Sequence, residues 1–161
     1  NIKLKSMFTN IKTQLISTCY LSRLIAENSL LKKKNCSIIL LSSIYGLVGQ
    51  DLSIYKHTSF KENMSYSLSK GGLISFTKQM AAYYSKHGIR INNVCPGGVL
   101  DKSKLKQKKY KNLVKNYSNR SPIKRLAYPK EIANPIIFLC SDESSYITGS
   151  SLIVDGGWTS I

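Results

Sequence analysis

A chain of 161 residues, 42% hydrophobic and 20% charged, is long enough for one domain with a buried core and too apolar for a disordered segment. No apolar run approaches the roughly 20 residues of a membrane span, which excludes a spanning helix; four scattered cysteines without a C-x-x-C pair argue against a metal site or a disulfide scaffold. Lys and Arg outnumber Asp and Glu by 24 to 8, and the resulting +16 fits either a polyanion partner or a solvated, lysine-rich surface.

Apolar residues at Ile11, Leu15, Leu21, Leu24 and Ile25 recur at helical spacing and predict one long helix from about Met7 to Leu31. Lys32-Lys33-Lys34 reads as a soluble turn. Ser37 to Ser43 is a continuous apolar run ending in two hydroxyls, the pattern of a strand buried on both faces of a parallel sheet. A second helix fits Ser65 to Ser85, with Leu73, Phe76, Met80 and Tyr84 on one stripe. It ends at His87-Gly88, where His87 reads as a capping residue and glycine suits the left-handed position after a helix.

Ile89 to Val94 predicts the next strand, halted at Cys95-Pro96-Gly97-Gly98, where proline cannot continue a ladder and glycines let another molecule approach the backbone. Residues 101–125 are polar, lysine-rich and weakly helical at best. Pro129 opens a helix running through Leu139, and Ser151 to Val154 is a last strand before Asp155-Gly156-Gly157. This alternation predicts an α/β fold, a single domain over residues 1–161 with a mainly parallel sheet. The chain opens on Asn1 rather than methionine, as a fragment would, and the absence of a leader in this sequence together with unpaired thiols points to a cytoplasmic protein.

The most informative stretch is Tyr66-Ser-Leu-Ser-Lys70. Positions i and i+4 share a helix face, so a phenol and an ammonium can address one site. A free phenol has a pKa of about 10, and a neighbouring cation favours the phenolate, which makes tyrosine usable for proton transfer to an alcohol or carbonyl oxygen. Ser43 ends a buried strand at the carboxyl edge, where open α/β sheets place ligands, and could hydrogen-bond the same oxygen. The Pro96-Gly97 turn ends the adjacent strand at that edge. Alone, Tyr-x-x-x-Lys also fits two surface residues on one helix face.

Four pieces in order, Ile-Ile-Leu-Leu-Ser-Ser-Ile-Tyr-Gly46, Tyr-Ser-Leu-Ser-Lys-Gly-Gly-Leu73, Gly-Ile-Arg-Ile-Asn-Asn-Val-Cys-Pro-Gly97 and Ile-Thr-Gly-Ser-Ser-Leu-Ile-Val-Asp-Gly-Gly157, resemble the short-chain dehydrogenase/reductase family. The resemblance implies the carboxyl-terminal part of a Rossmann-like, doubly wound parallel sheet, a three-layer α/β/α fragment without its N-terminal strands. It also implies an NAD- or NADP-dependent oxidoreductase acting on a secondary alcohol or ketone. Ser43 would orient the substrate oxygen, Tyr66 would be the general acid/base, and Lys70 would hold the nicotinamide ribose and tune the tyrosine. Pro96, Gly97 and Val99, with Tyr66 and Lys70, would lie along the nicotinamide. The family's Gly-rich turn and N-A-G strand belong before residue 1.

Two positions depart from the pattern. Where the family carries a catalytic asparagine that supports a relay water, this sequence has Gln14, with Asn10 one turn earlier. Where a threonine often contacts the carboxamide, it has Asp101. These departures admit a non-catalytic member of the family as an alternative. The segment between Ser43 and Tyr66 is long and is similar to the branch that modifies flagellin or builds surface sugars. In that reading Tyr55, Lys56, His57 and Thr58 form the substrate mouth; otherwise Tyr55 and Phe60 close a surface loop. Lys102 to Lys115 corresponds to the family's substrate lid, suited to a phosphorylated substrate, or is a solvated loop. Cys95 reads as a packing residue. Partners implied are a small-molecule substrate and further copies of the chain, as a homodimer or homotetramer that pairs its two long helices. Ser69, Gly71 and Gly72 are small enough for close helix approach. No dedicated nucleic acid is implied.

Overall fold

The computed structural model describes residues 4–105 and 107–161; residues 1–3, and Lys106 within the lysine-rich stretch, lie outside them. In chain order the elements are α1 (Leu4–Ile11), α2 (Ser17–Leu31), β1 (Cys36–Leu41), α3 (Met64–Tyr84), β2 (Ile89–Pro96), α4 (Lys102–Leu105), α5 (Lys111–Arg120), α6 (Pro129–Cys140) and β3 (Ser151–Val154). The strands form a parallel sheet in the order β1-β2-β3, with Cys36 opposite Ile89 on one side and Asn93 opposite Ser151 on the other.

Alternation along the strands sorts side chains between two helix layers. Ile38, Leu40, Ile89 and Ile91 pack with Ala26 of α2 and with Leu73, Met80 and Tyr84 of α3. Val94 turns the other way, onto Ile132 and Leu139 of α6. The Ser37 hydroxyl on that face donates to the Leu139 carbonyl at 2.8 Å. Helices on both faces of a parallel sheet make the three-layer, Rossmann-like arrangement that the sequence implies. Among the described residues no helix is long and apolar enough to cross a membrane.

Three details differ from the sequence reading. The first helix carries a π segment, Lys12–Ile16, between α1 and α2. An apolar stripe read at 3.6 residues per turn does not reveal such a segment. Pro96 pairs inside the ladder, opposite Val154. The backbone around it explains why this is tolerated: the Asn93 N–H donates to the Ser150 carbonyl just before β3 at 2.9 Å and the Gly97 N–H to the Val154 carbonyl at 3.0 Å, so the alternate Pro96 faces β1, which has already ended. And residues 101–125 hold a formed helix, α5, whose Tyr117 packs with Ile44, Ile54, Leu126 and Trp158 and with the half-buried Leu113 and Val114. Tertiary packing overrides weak local propensity there.

Gly71 and Gly72 both meet other segments of their own chain. A Cβ on Gly72 would lie 2.8 Å from Leu15 in the π segment, and Gly71 faces Gly46. Gly46, in the turn after β1, is seated directly on the α3 backbone: a Cβ there would stand 2.7 Å from the Lys70 carbonyl carbon and 2.8 Å from the Gly71 nitrogen. Backbone cannot yield as a side-chain tip can. Gly46→Ala is therefore expected to cost about 1–3 kcal/mol in thermal or urea unfolding. Gly49→Ala, where nothing lies within 4 Å, serves as the neutral control. Equal melting of Gly46→Ala and wild type would contradict this seating.

Candidate active site

All three strands deliver their carboxyl ends to one edge, and a cavity of about 330 Å³ opens there, lined by Ser43, Tyr55, Tyr66, Gly97 and Val99 among others. Extended backbone carries β1 into two serines that face opposite ways. Ser42 Oγ donates to the Lys70 carbonyl at 2.7 Å, whereas Ser43 lines the cavity and its Oγ accepts the Tyr45 N–H at 3.2 Å.

Tyr66 is placed by the start of α3. Asn63 caps that helix, its Oδ1 accepting the Tyr66 N–H at 3.2 Å and the Ser65 hydroxyl at 2.6 Å. Tyr66 thus stands in the first turn, half-buried, with the cavity in front of it. One turn on, Lys70 directs its ammonium to the Leu41 carbonyl at 2.8 Å, with Nζ 5.4 Å from the centre of the Tyr66 ring. Burial holds the Lys70 pKa below the ordinary lysine value; the nearby Cys95 thiol acts weakly against that. Cys95 is itself buried, with its thiol pushed up by burial, in keeping with a packing residue.

Of the expected site residues, Ser43, Tyr66, Tyr55, Gly97 and Val99 meet at the cavity, and Lys70 stands behind Tyr66. Pro96 is buried at the end of β2 and does not line it. His57 is exposed, off the lining, in a left-handed turn at φ 58°, and its carbonyl accepts from Asn112 Nδ2 at 2.7 Å. Gln14 is half-buried in the π segment and also off the lining. The amide that reaches α3 is Asn10, whose Nδ2 donates to Ser65 Oγ at 3.0 Å and so joins the Asn63 cap. Asp101 has a local duty: its Oδ1 accepts the Lys104 N–H at 2.9 Å and the Ser103 hydroxyl, capping α4. Those bonds hold its carboxyl below the ordinary range, the Ser103 hydroxyl first.

The rear wall went unforeseen. The Tyr117 hydroxyl accepts the Gly98 N–H at 2.6 Å, and its ring stacks on Trp158 with centres 4.4 Å apart. A Cβ on Gly97 or Gly98 would run into Tyr117 at 2.6 Å, so both glycines make room for that side chain while they border the cavity. Helix α5 is laced to the segment after β1: Asn116 Nδ2 donates to the Ile54 and Lys56 carbonyls at 3.1 and 2.9 Å, and Arg120 pairs with Asp51 at 3.4 Å. Asn112, Asn116 and Arg120 recur every four residues, a stripe visible in the sequence beside Leu113 and Tyr117. Burial, the first cause in each case, raises the phenols of Tyr45, Tyr55 and Tyr117 above their ordinary value. These three act as neutral hydrogen-bonding walls.

Comparison with known proteins follows the same lines. A family model described as enoyl-(acyl carrier protein) reductase matches residues 1–159. The chain is 38% identical over 136 residues to an uncharacterized short-chain type dehydrogenase/reductase of Sinorhizobium fredii, covering 84% of this chain and 23% of that protein. It is 35% identical over 147 residues to a 3-oxoacyl-(acyl-carrier-protein) reductase of Buchnera aphidicola, covering 91% of this chain and 55% of the relative. A solved short chain dehydrogenase from Leptospira borgpetersenii with bound NAD+ superposes with a TM-score of 0.88 at 29% identity, over 99% of this chain and 58% of that one. The chain thus spans between 23% and 58% of the length of these three proteins.

The Tyr117 hydroxyl isolates one interaction for measurement. Tyr117→Phe keeps the stack on Trp158 and strands the Gly98 N–H, at an expected cost of about 1–3 kcal/mol in urea unfolding. Wild-type stability in this variant would show that the N–H finds another acceptor.

Proposed function

The chain belongs to the short-chain dehydrogenase/reductase family, and from that premise we propose that it forms the catalytic part of an NAD- or NADP-dependent oxidoreductase interconverting a secondary alcohol and a ketone. The observation that carries this reading is the convergence of Ser43 and Tyr66 on one cavity with the Lys70 ammonium against the Tyr66 ring.

The residues present fit a nicotinamide. Lysine has three donors, and Lys70 commits one to Leu41, leaving two for ligand hydroxyls beside the Gly97 and Val99 edge. A bound nicotinamide would supply or accept the hydride. The chain's own groups handle the oxygen. Ser43 Oγ offers a hydrogen bond that positions it, and the Tyr66 phenol gives its proton to the oxygen in reduction or takes one in oxidation. Charge that develops on the phenol oxygen is favoured by the ammonium beside its ring. Of the two amides on the first helix, Asn10 is the better candidate for supporting this machinery, because its side chain is tied through Ser65 to the cap that sets Tyr66.

Tyr55 and the polar segment around it support a hydroxyl-rich, sugar-derived substrate as the finer reading. Tyr66→Phe in the whole protein is expected to lower turnover by about 100-fold or more while cofactor affinity changes little. Turnover near the wild-type rate would overturn the assignment, and a wild-type protein that oxidises no secondary alcohol would favour a non-catalytic role.

We further propose that copies of the chain pair as a homodimer or homotetramer. The support is the set of large apolar side chains left exposed on the outer helices, including Phe8, Tyr20 (66% exposed), Met64 and Leu68 (50% exposed). Tyr20→Glu combined with Leu68→Glu should lower the mass seen in sedimentation by half or more. An unchanged mass would place the interface elsewhere or remove it.

A further inference from the structure

Among the described residues, Lys61 is the one formally charged residue lining the cavity. The rest of the lining is apolar or uncharged and polar: aliphatic Ile44 and Leu113, the phenols, and the amides of Gln50 and Asn63. No carboxylate is among the described lining residues. The eight acidic residues of the chain are Glu27, Asp51, Glu62, Asp101, Glu131, Asp142, Glu143 and Asp155, and among the described residues none is paired with Lys61. Asp51 is engaged by Arg120, and Glu62, its sequence neighbour, lies off the lining.

The segment carrying Lys61 is pinned on both sides. Before it, Phe60 stacks on Tyr110 with ring centres 5.4 Å apart, and the Phe60 N–H is held by Thr58 Oγ1 at 3.2 Å. After it, the Asn63 N–H donates to Gln50 Oε1 at 3.3 Å, while Gln50 Nε2 donates to Ser67 Oγ at 3.2 Å. Asn63 also caps the helix that bears Tyr66, so the base of Lys61 and the start of the Tyr66 turn share one short, fastened stretch. The backbone of Lys61 is thus anchored while its exposed side chain contributes to the rim of a small cavity whose other described lining residues are uncharged, a position from which an ammonium can read the charge of what enters.

We propose that Lys61 is the specificity-determining residue of this site and that the substrate carries an oxyanion, a carboxylate or a phosphate, which Lys61 receives while the reacting carbon lies toward Tyr66. The proposal deepens the oxidoreductase reading and rests on it for the identity of the cavity. It moves the substrate's charged contact from Lys56 and His57, which do not line the cavity, to Lys61.

The test uses the whole protein at low ionic strength, where exposed charges are least screened. Succinate and inorganic phosphate are the two anion probes and succinamide is the neutral one, read by thermal shift and titration. One anion or the other should stabilise the wild type, with affinity falling about 10- to 100-fold in Lys61→Gln and retained in Lys61→Arg. Which anion does so identifies the carboxylate or the phosphate arm. Lys56→Gln is the control for the general +16 field and should bind as wild type does. Equal binding by Lys61→Gln, an equal loss in Lys56→Gln, equal stabilisation by succinamide, or no response to either anion would each overturn the proposal. Oxidation of neutral secondary alcohols that is lost in Tyr66→Phe but indifferent to Lys61 would sink this inference alone and leave the oxidoreductase reading standing.

Discussion

The site depends on how closely the turn after β1 approaches α3. Three links bind the two segments within a few residues: Ser42 Oγ to the Lys70 carbonyl, Lys70 Nζ to the Leu41 carbonyl, and Gly46 in van der Waals contact with the Lys70–Gly71 backbone. The hydrogen bonds run in opposite directions across the gap, so neither segment can slide without breaking one of them. Only a residue without Cβ permits the approach. The result is that Ser43, on an extended backbone, and Tyr66, one turn before Lys70, hold fixed positions relative to each other. Tyr66 is carried by the helix itself, and Ser43 by extended backbone two residues past the end of β1, fastened to that helix.

The opposite wall is assembled from the end of the chain. Asp155 gathers the Gly157 N–H at 2.9 Å, the Thr159 N–H at 2.8 Å and the Thr159 hydroxyl at 2.7 Å, turning the backbone sharply after β3. Gly157 takes the left-handed φ of 81° this turn requires. Trp158 is thereby buried against Tyr117, with the Arg120 guanidinium 5.1 Å from the indole ring, and Tyr117 in turn seals the Gly97–Gly98 bend. A stack of two large rings is a stiff support for a bend that itself has no side chains. The carboxyl-terminal residues therefore shape the cavity without any of them lining it.

What the sequence made legible followed simple periods. Buried strands read as continuous apolar runs, α3 as a stripe ending in glycine, and Tyr66–Lys70 as a same-face pair, because each depends on neighbours within a turn or a strand. What escaped depends on distant partners. Helix α5 has poor local propensity and exists because Leu113, Val114 and Tyr117 find Ile54 and Trp158 while Asn116 finds two carbonyls more than fifty residues away. Pro96 looked like a strand terminator because the side of β2 it faces cannot be known without the register. The amide linkage through Asn10 was likewise hidden, since Gln14 and Asn10 are equally plausible until Ser65 is seen beside one of them. Asn92 and Asn93 are both buried, and their partners lie far along the chain. The first clamps the Ile147 carbonyl and the Ser150 N–H, and the second donates to Ser151 Oγ, so they fasten the approach to β3.

Chemistry at this edge is narrowed as much by what lines the cavity as by Tyr66 itself. Neither a carboxylate nor an imidazole is among the described lining residues, so the commonest proton carriers do not face this space. Four phenols remain, and their surroundings divide them. Tyr45, Tyr55 and Tyr117 are sunk among apolar side chains and one another, where burial opposes the charged form. Tyr66 alone has an ammonium against its ring while it faces the cavity. One residue type thus forms the wall in three places and, in a fourth, is the phenol proposed as the proton donor. The difference lies in a lysine four residues along the same helix, held in place by a carbonyl of the neighbouring strand.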